Sequence, residues 1–504
     1  MEEIILRRSL VFGIIIILFL GASVIPSVGG NIVVKQENKK QDIGLNPGGN
    51  VLYVGGDGPR NYTKIQNAID DSIAGDTVYV YSGIYYETVF LNKQIDLIGE
   101  DRETTIIDGS GNTWWVVRVY TDYAKISGFS IKNSMSEGAG VIAFTSNIII
   151  HDNIIFNCFH GVETQGISHI TISKNFITNN IENGIYMMST SDNIIIGNTI
   201  TSNNNKGIFI GGSSDNTISE NSIQDNIGIG IDITDSSQNT ISGNIIINNK
   251  EGVHLTYYSC SNTILDNVIS HNKQYGVKIS SSSSDNIIIK NRITCNDREG
   301  VYVMSEDSLY NYVYHNLFLS HMYNAYCNGY TYWYSNELKE GNYWDDYTGV
   351  DENPEDGIGD TPYQIRGGNN DKFPVMEPWS DNEPPETPTI DGPRTGKIEV
   401  EYDYQFFTTD PEGELIEYYI HWGDEAGWFG PYDSGETVII THTWLRVGDY
   451  TIKVKARDFY GLETDWVTLS VSMPKDRFIT DTLFMRLLEQ FLNALLILRN
   501  LLRV

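Results

Sequence analysis

Basic residues are scarce in this chain. Lys and Arg supply 34 of its 504 residues against 65 Asp and Glu, a formal net charge of −31. Nucleic-acid phosphates are held by Lys and Arg, so this balance argues against a nucleic-acid partner; it suits solubility, cation binding or basic partners. An apolar period of 3.6 residues is missing across the repetitive body, which speaks against a helical fold there. The one long apolar run near the N-terminus is Leu10–Leu20, after Arg7 and Arg8 and before the small residues Gly21, Ala22 and Ser23. It predicts an export signal over residues 1–30, with an uncleaved anchor as the alternative, although the run is short for a full span. Cysteine is also rare: Cys158, Cys260, Cys295 and Cys327 are the only four.

Asparagine is abundant, and it recurs with a beat. Asn153, Asn175, Asn198, Asn221, Asn244, Asn267, Asn291 and Asn316 are separated by 22 to 25 residues. From Asn175 to Asn291 a second asparagine follows five residues later, from Asn180 to Asn296. A glycine then opens a short apolar stretch, as in Gly184-Ile185-Tyr186-Met187 and Gly207-Ile208-Phe209-Ile210. A fixed period of this size predicts a solenoid whose neighbouring units bury one another. Isoleucines two residues after the asparagines (Ile195, Ile200) suit a pleated, half-buried surface. Asparagine tolerates corner conformations, and stacked amides can donate from coil to coil. These features predict a right-handed parallel β-helix of about 11 coils, at about 23 residues each. Its axis would be roughly 50 Å long.

The cysteines fall at different offsets from the anchor asparagines. Cys158 and Cys295 share similar offsets but lie about six coils, or roughly 29 Å, apart, beyond disulfide reach. Four free, mostly buried thiols are expected, with Cys158 filling an asparagine slot.

The chain divides into six parts: signal (1–30), flexible spacer (31–50), β-helix (51–380), linker (381–387), sandwich (388–473) and C-terminal helix (481–504). Thr63–Ser72 and Ile73 read as an amphipathic helix capping the open first coil. Residues 51–131 followed by the Asn-Ile coils, together with GNYWDDYTGVDENPEDGIGDTPYQIRGGNNDKFPVMEP at 341–378, resemble the NosD-type β-helix family of archaeal surface proteins within the pectin-lyase-like superfamily. Alternating Thr451–Ala456, the Trp422-Gly423-Asp424 turn and His442-Thr443-Trp444 resemble a PKD or immunoglobulin-like β-sandwich, a module that implies a spacer or adhesion unit. The fold expected is therefore all-β. In the last segment Arg486, Glu489, Gln490, Asn493 and Asn500 form a polar stripe against leucines. Its polarity favours peripheral attachment to a membrane or protein over spanning.

Alternation in the Gly-Ile-x-Ile strands sends one residue per coil outward. That column reads Glu163, Tyr186, Phe209, Asp232, His254, Lys278 and Tyr302. Its spacing of about 4.8 Å approximates the rise of a sugar along an extended glycan, and its aromatic and charged members could meet rings, hydroxyls and carboxylates. The column alone assembles no acid–base pair: Glu163 lies three coils, roughly 14 Å, from Asp232, outside the range for paired-carboxylate glycoside hydrolysis. The Gly-His-Gly and Arg-Ile-Lys motifs of β-helix hydrolases are missing. The NosD resemblance implies copper handling, yet His151, His160 and His169 sit at different offsets and no Met or His column exists. The acidic loop Asp351, Asn353, Glu355, Asp356 and Asp360, with Gly357 and Gly359, offers oxygen ligands of the kind Ca²⁺ takes; no other cofactor is expected. Eleven tyrosines, Trp333 and Trp344 within 302–347 are expected to close the last coil. The sequence thus favours a secreted or surface-attached, non-catalytic β-helix that binds a polysaccharide or envelope component. A polysaccharide lyase or hydrolase and a copper-enzyme maturation factor are the alternatives.

Overall fold

The computed structural model describes residues 49–501 apart from 305–306, 353, 379–382, 412, 459–460 and 475–480. The signal and nearly all of the spacer expected at 1–50 lie outside the described residues.

Each coil passes through three parallel sheets. One turn runs Ile194–Ile196, Thr199–Thr201 and Ile208–Gly211, and stacking the turns builds sheets of 13, 12 and 11 strands. The solenoid therefore has about two more turns than the 11 expected; its first-sheet strands begin at Val51–Val54, well before the first anchor asparagine. Ile195, Ile200, Ile208 and Ile210 are fully buried and stack on their counterparts in the next coil. The glycine opening each third-sheet strand is required by close approach. A Cβ on Gly207 would lie 2.7 Å from the Gly230 carbonyl oxygen and 2.6 Å from Ile223.

Three asparagine ladders run through the interior. Asn198 donates through Nδ2 and its backbone N–H to Asn221 Oδ1, both at 2.9 Å, and Asn221 repeats this to Asn244. A parallel ladder links Asn203, Asn226 and Asn249. A third links Asn193, Asn216 and Asn239. The left-handed corner itself falls on the residue before the anchor asparagine, not on the asparagine: Lys174, Glu220, Asp266 and Lys290 have φ between 53° and 56°. Such conformations cost roughly 1–2 kcal/mol per residue, offset here by satisfied buried amides.

Two of the ladders end on side-chain acceptors of another kind. Asp371 Oδ2 receives the Asn342 backbone N–H at 2.7 Å and Trp344 Nε1 at 3.0 Å; burial raises its pKa to about 6 against these donors. His321 Nδ1 accepts the Asn296 N–H at 3.1 Å, while Nε2 donates to the Ile293 carbonyl at 2.8 Å. Burial lowers its pKa to about 4. Cys158 opens the second ladder, its backbone N–H donating to Asn180 Oδ1, and burial raises its thiol to about 11. All four thiols are free; Cys158 and Cys327 are buried, Cys260 and Cys295 half-buried.

The first coil is covered by the helix Ile65–Asp71, which buries Ile65, Ala68 and Ile69. Its leading N–H groups are capped by Glu87 from another coil. Ile73 lies beyond the helix and is 65% exposed, so it takes no part in the cap. At the other end Trp344 stacks on Phe318 and Tyr363, each at 4.3 Å, and Trp333 is fully buried.

Residues Thr389–Met473 form antiparallel sheets of three and four strands around Tyr404, Phe406, Tyr418, Trp422 and Trp444. This sandwich is no free spacer: it docks on the second sheet of the solenoid. Arg292 Nη2 meets Glu417 Oε2 at 2.5 Å and Arg457 Nη2 meets the same oxygen at 2.7 Å. Arg292 and Glu417 have no solvent exposure. Burial pushes the Glu417 carboxyl up, and the two guanidiniums more than reverse this.

The C-terminal helix spans Asp481–Leu501. Leu488, Phe491, Leu492, Leu495 and Leu496 on it are exposed. No described helix is long and apolar enough to cross a membrane.

Candidate functional site

The seven column residues lie side by side on the third sheet. Glu163, Tyr186, Phe209, Asp232, His254, Lys278 and Tyr302 pair consecutively in register. The file continues to Tyr326 below and to Ile142, Arg118 and Phe90 above. It therefore crosses all 11 strands of the sheet.

Its aromatics stack on one another. Tyr186 lies 4.7 Å from the His160 ring and 5.1 Å from Phe209; Tyr302 lies 4.5 Å from Tyr275 and 5.0 Å from Tyr326. The other face of the Phe209 stack is met by the Lys206 ammonium, 4.2 Å from the ring centre. Ring faces along this stretch are thus turned to neighbours, and a ligand meets ring edges and hydroxyls.

Between the two stacks sits a charged cluster that the column alone did not reveal. Lys206 Nζ pairs with Asp232 Oδ2 at 2.5 Å. Glu251 receives Lys278 at 3.2 Å and lies 3.5 Å from His254 Nδ1. His254 Nε2 meets Ser280 Oγ at 3.0 Å. Asp232 and Glu251 are each 4% exposed, so both carboxylates lie beneath the lysine ammoniums. Burial lowers the His254 pKa, opposed by Asp232 and Glu251. Glu163 is raised by burial, although Trp115 Nε1 donates to it at 3.3 Å. Lys206 and Glu251 occupy the position just before the strand-opening glycine, a second file with the same period: His160, Asn183, Lys206, Ile229, Glu251, Tyr275, Glu299. That recurrence was the signal for them.

The acidic loop is arranged differently. Asp351 accepts the Asp356 and Gly357 N–H groups, Asp356 that of Ile358, and Asp360 that of Glu352. These carboxylates brace the turns of their own loop; Glu355 is exposed and Asn353 lies outside the described residues. Among the described residues, the acids whose oxygens converge within 4.8 Å are Asp410, Glu414 and Asp458 in the sandwich.

A solenoid with one long polar and aromatic face, carrying a docked sandwich, is the class these features define. Residues 115–267 match the family described as right handed beta helix region, and residues 230–349 that described as periplasmic copper-binding protein (NosD). The solenoid is a NosD-type right-handed parallel β-helix, and the sandwich is PKD-like. The PKD domain of an M14-like peptidase from a Thermoplasmatales archaeon matches at 50% identity, over 19% of this chain and 99% of that one, with a TM-score of 0.18. The A-module of a mannuronan C-5 epimerase from Azotobacter vinelandii is 16% identical over 53% of this chain and 92% of that one (TM-score 0.40). A DFA-IIIase from Arthrobacter chlorophenolicus is 10% identical over 55% and 84% (TM-score 0.44). Likenesses this distant transfer no chemistry. Comparison with curated proteins returns no match.

The copper implied by the NosD description does not suit these residues. Copper favours imidazole and sulfur donors, but His151 is bonded to Ser173 and His160 is stacked on Tyr186. The one converging donor set among the described residues is all oxygen.

Proposed function

We propose that the protein acts outside the cytoplasm as a non-catalytic binder of extended polysaccharide, laid along the outward file of the third sheet. The observation that carries this reading is the in-register file through all 11 strands. Ring spacings of 5.0 and 5.1 Å along it match the rise of one sugar per coil. Three features favour binding over catalysis. Asp232 and Glu251 are each neutralised by a lysine; both are almost fully covered; and both His254 nitrogens face protein groups. A hydrolytic pair needs open carboxyls with room for substrate or water between them. The basic residues before Leu10–Leu20 support export.

A glycan-array screen of the full chain tests this, with Lys206→Gln and Tyr186→Ala as site variants and a reducing-end assay on each bound glycan. Saturable binding that weakens in both variants, without product release, is expected. Binding that ignores both variants rejects the face, and sustained product release rejects the non-catalytic role.

A further inference from the structure

We propose that the first coils of the third sheet form a uronate subsite, in which Arg118 receives the carboxylate of an acidic sugar beside an exposed aromatic wall; this rests on the polysaccharide reading above and names the sugar chemistry.

Arg118 lies on the outward file two strands before Glu163. Its guanidinium carbon is 4.6 Å from the Phe90 ring centre and 5.0 Å from that of Trp115. Lys206, Lys278, Arg292 and Arg366 each face a carboxylate. Arg118 is paired with none among the described residues, and its Nε is buried without an acceptor. Aromatic stacking steadies a guanidinium while leaving its in-plane N–H fork for a carboxylate.

The surroundings favour a sugar as the bearer of that carboxylate. Phe90, Tyr120 and Phe144 stack at 6.4 and 4.8 Å yet remain 37%, 45% and 38% exposed; Trp115 meets Phe144 at 5.8 Å and Trp114 at 6.2 Å, and Trp114 is 46% exposed. Contiguous exposed aromatic surface of this kind marks a contact site; its stacked faces are turned to one another, so a bound sugar meets its apolar ring edges. The site continues directly into the file of the central cluster, so one chain can engage both.

The test is calorimetric titration of the full chain with oligogalacturonate, its methyl ester and oligoglutamate, using wild type, Arg118→Gln, Arg118→Lys, Trp114→Ala and Lys206→Gln, each checked for wild-type circular dichroism. Arg118→Gln should weaken oligogalacturonate binding roughly tenfold to a hundredfold, the range for losing a charged hydrogen-bond partner. Arg118→Lys should recover part of this, Trp114→Ala should weaken binding, and the ester should bind wild type no better than it binds Arg118→Gln. Unchanged affinity in Arg118→Gln with loss in Lys206→Gln overturns this subsite and leaves the central face standing. No binding of any glycan by wild type overturns both. Oligoglutamate bound as tightly, and lost in Arg118→Gln, overturns the sugar assignment in favour of an acidic protein partner.

Discussion

Replacing Asn221 by Ala in the middle of the main ladder removes five hydrogen bonds at once. Asn221 Nδ2 donates to the carbonyls of Ile195 and Ser219 and to Asn244 Oδ1, each at 2.9 Å. Its Oδ1 accepts two donors from Asn198. Some partners keep another bond: the Ser219 carbonyl retains Gly197 N–H, and Asn198 Nδ2 retains the Ile172 and Ile196 carbonyls. The buried Asn198 backbone N–H loses its acceptor. Summing a stranded buried donor and the net worth of the remaining bonds gives about 3–5 kcal/mol. Asn221→Asp should be worse, since a carboxylate cannot donate to Ile195 or Asn244. Urea unfolding followed by far-UV circular dichroism measures this, with the outward Thr217→Ala as control. An Asn221→Ala midpoint equal to that of the control would refute the ladder as a principal source of stability.

Three further outcomes follow from the same structure. The Asp371 pKa rises from 3.8 to about 6 on folding, so the native state holds more protons in that window and stability falls as pH rises from about 4 to 6, by roughly 3 kcal/mol; Asp371→Asn should flatten that slope in melting temperature, and an unchanged profile contradicts it. His321 falls from 6.5 to about 4, so the unfolded state holds more protons and stability rises with pH across that window; His321→Asn should remove this opposite slope while costing less stability than His321→Ala, and equal losses would argue against its place in the ladder. Glu417→Gln strands Arg292 and Arg457 and should cost about 3–5 kcal/mol, read as faster proteolysis between solenoid and sandwich, with wild-type resistance as the contrary result.

Much of this architecture was written in the period. Asn198, Asn221 and Asn244 share a file because 23 residues make one coil, and the same period put Tyr186 and Phe209 side by side. Lys206 and Glu251 precede the glycine of the Gly-Ile-x-Ile strands, outside the alternation that marks an outward residue, so strand periodicity assigns them no face. Arg118, Trp114 and Tyr120 lie in early coils that lack both the asparagine anchor and the glycine motif, so no sequence frame assigned them a face; the missing anchors also led to too few coils. Asp351, Asp356 and Asp360 looked like ion ligands by composition, but loop backbone N–H groups engage their oxygens, which spacing alone does not reveal. The docked sandwich rests on Arg292, Glu417 and Arg457, three residues whose meeting depends on tertiary geometry.

Hydrogen–deuterium exchange of the full chain with and without a bound glycan from the array tests the central claim most directly. The account predicts added protection in successive third-sheet strands, His160–Gln165, Ile185–Met188, Ile208–Gly211, Ile229–Thr234 and Glu251–Thr256, and little change in the first and second sheets. Protection confined to the sandwich, the acidic loop or the other two sheets would contradict it.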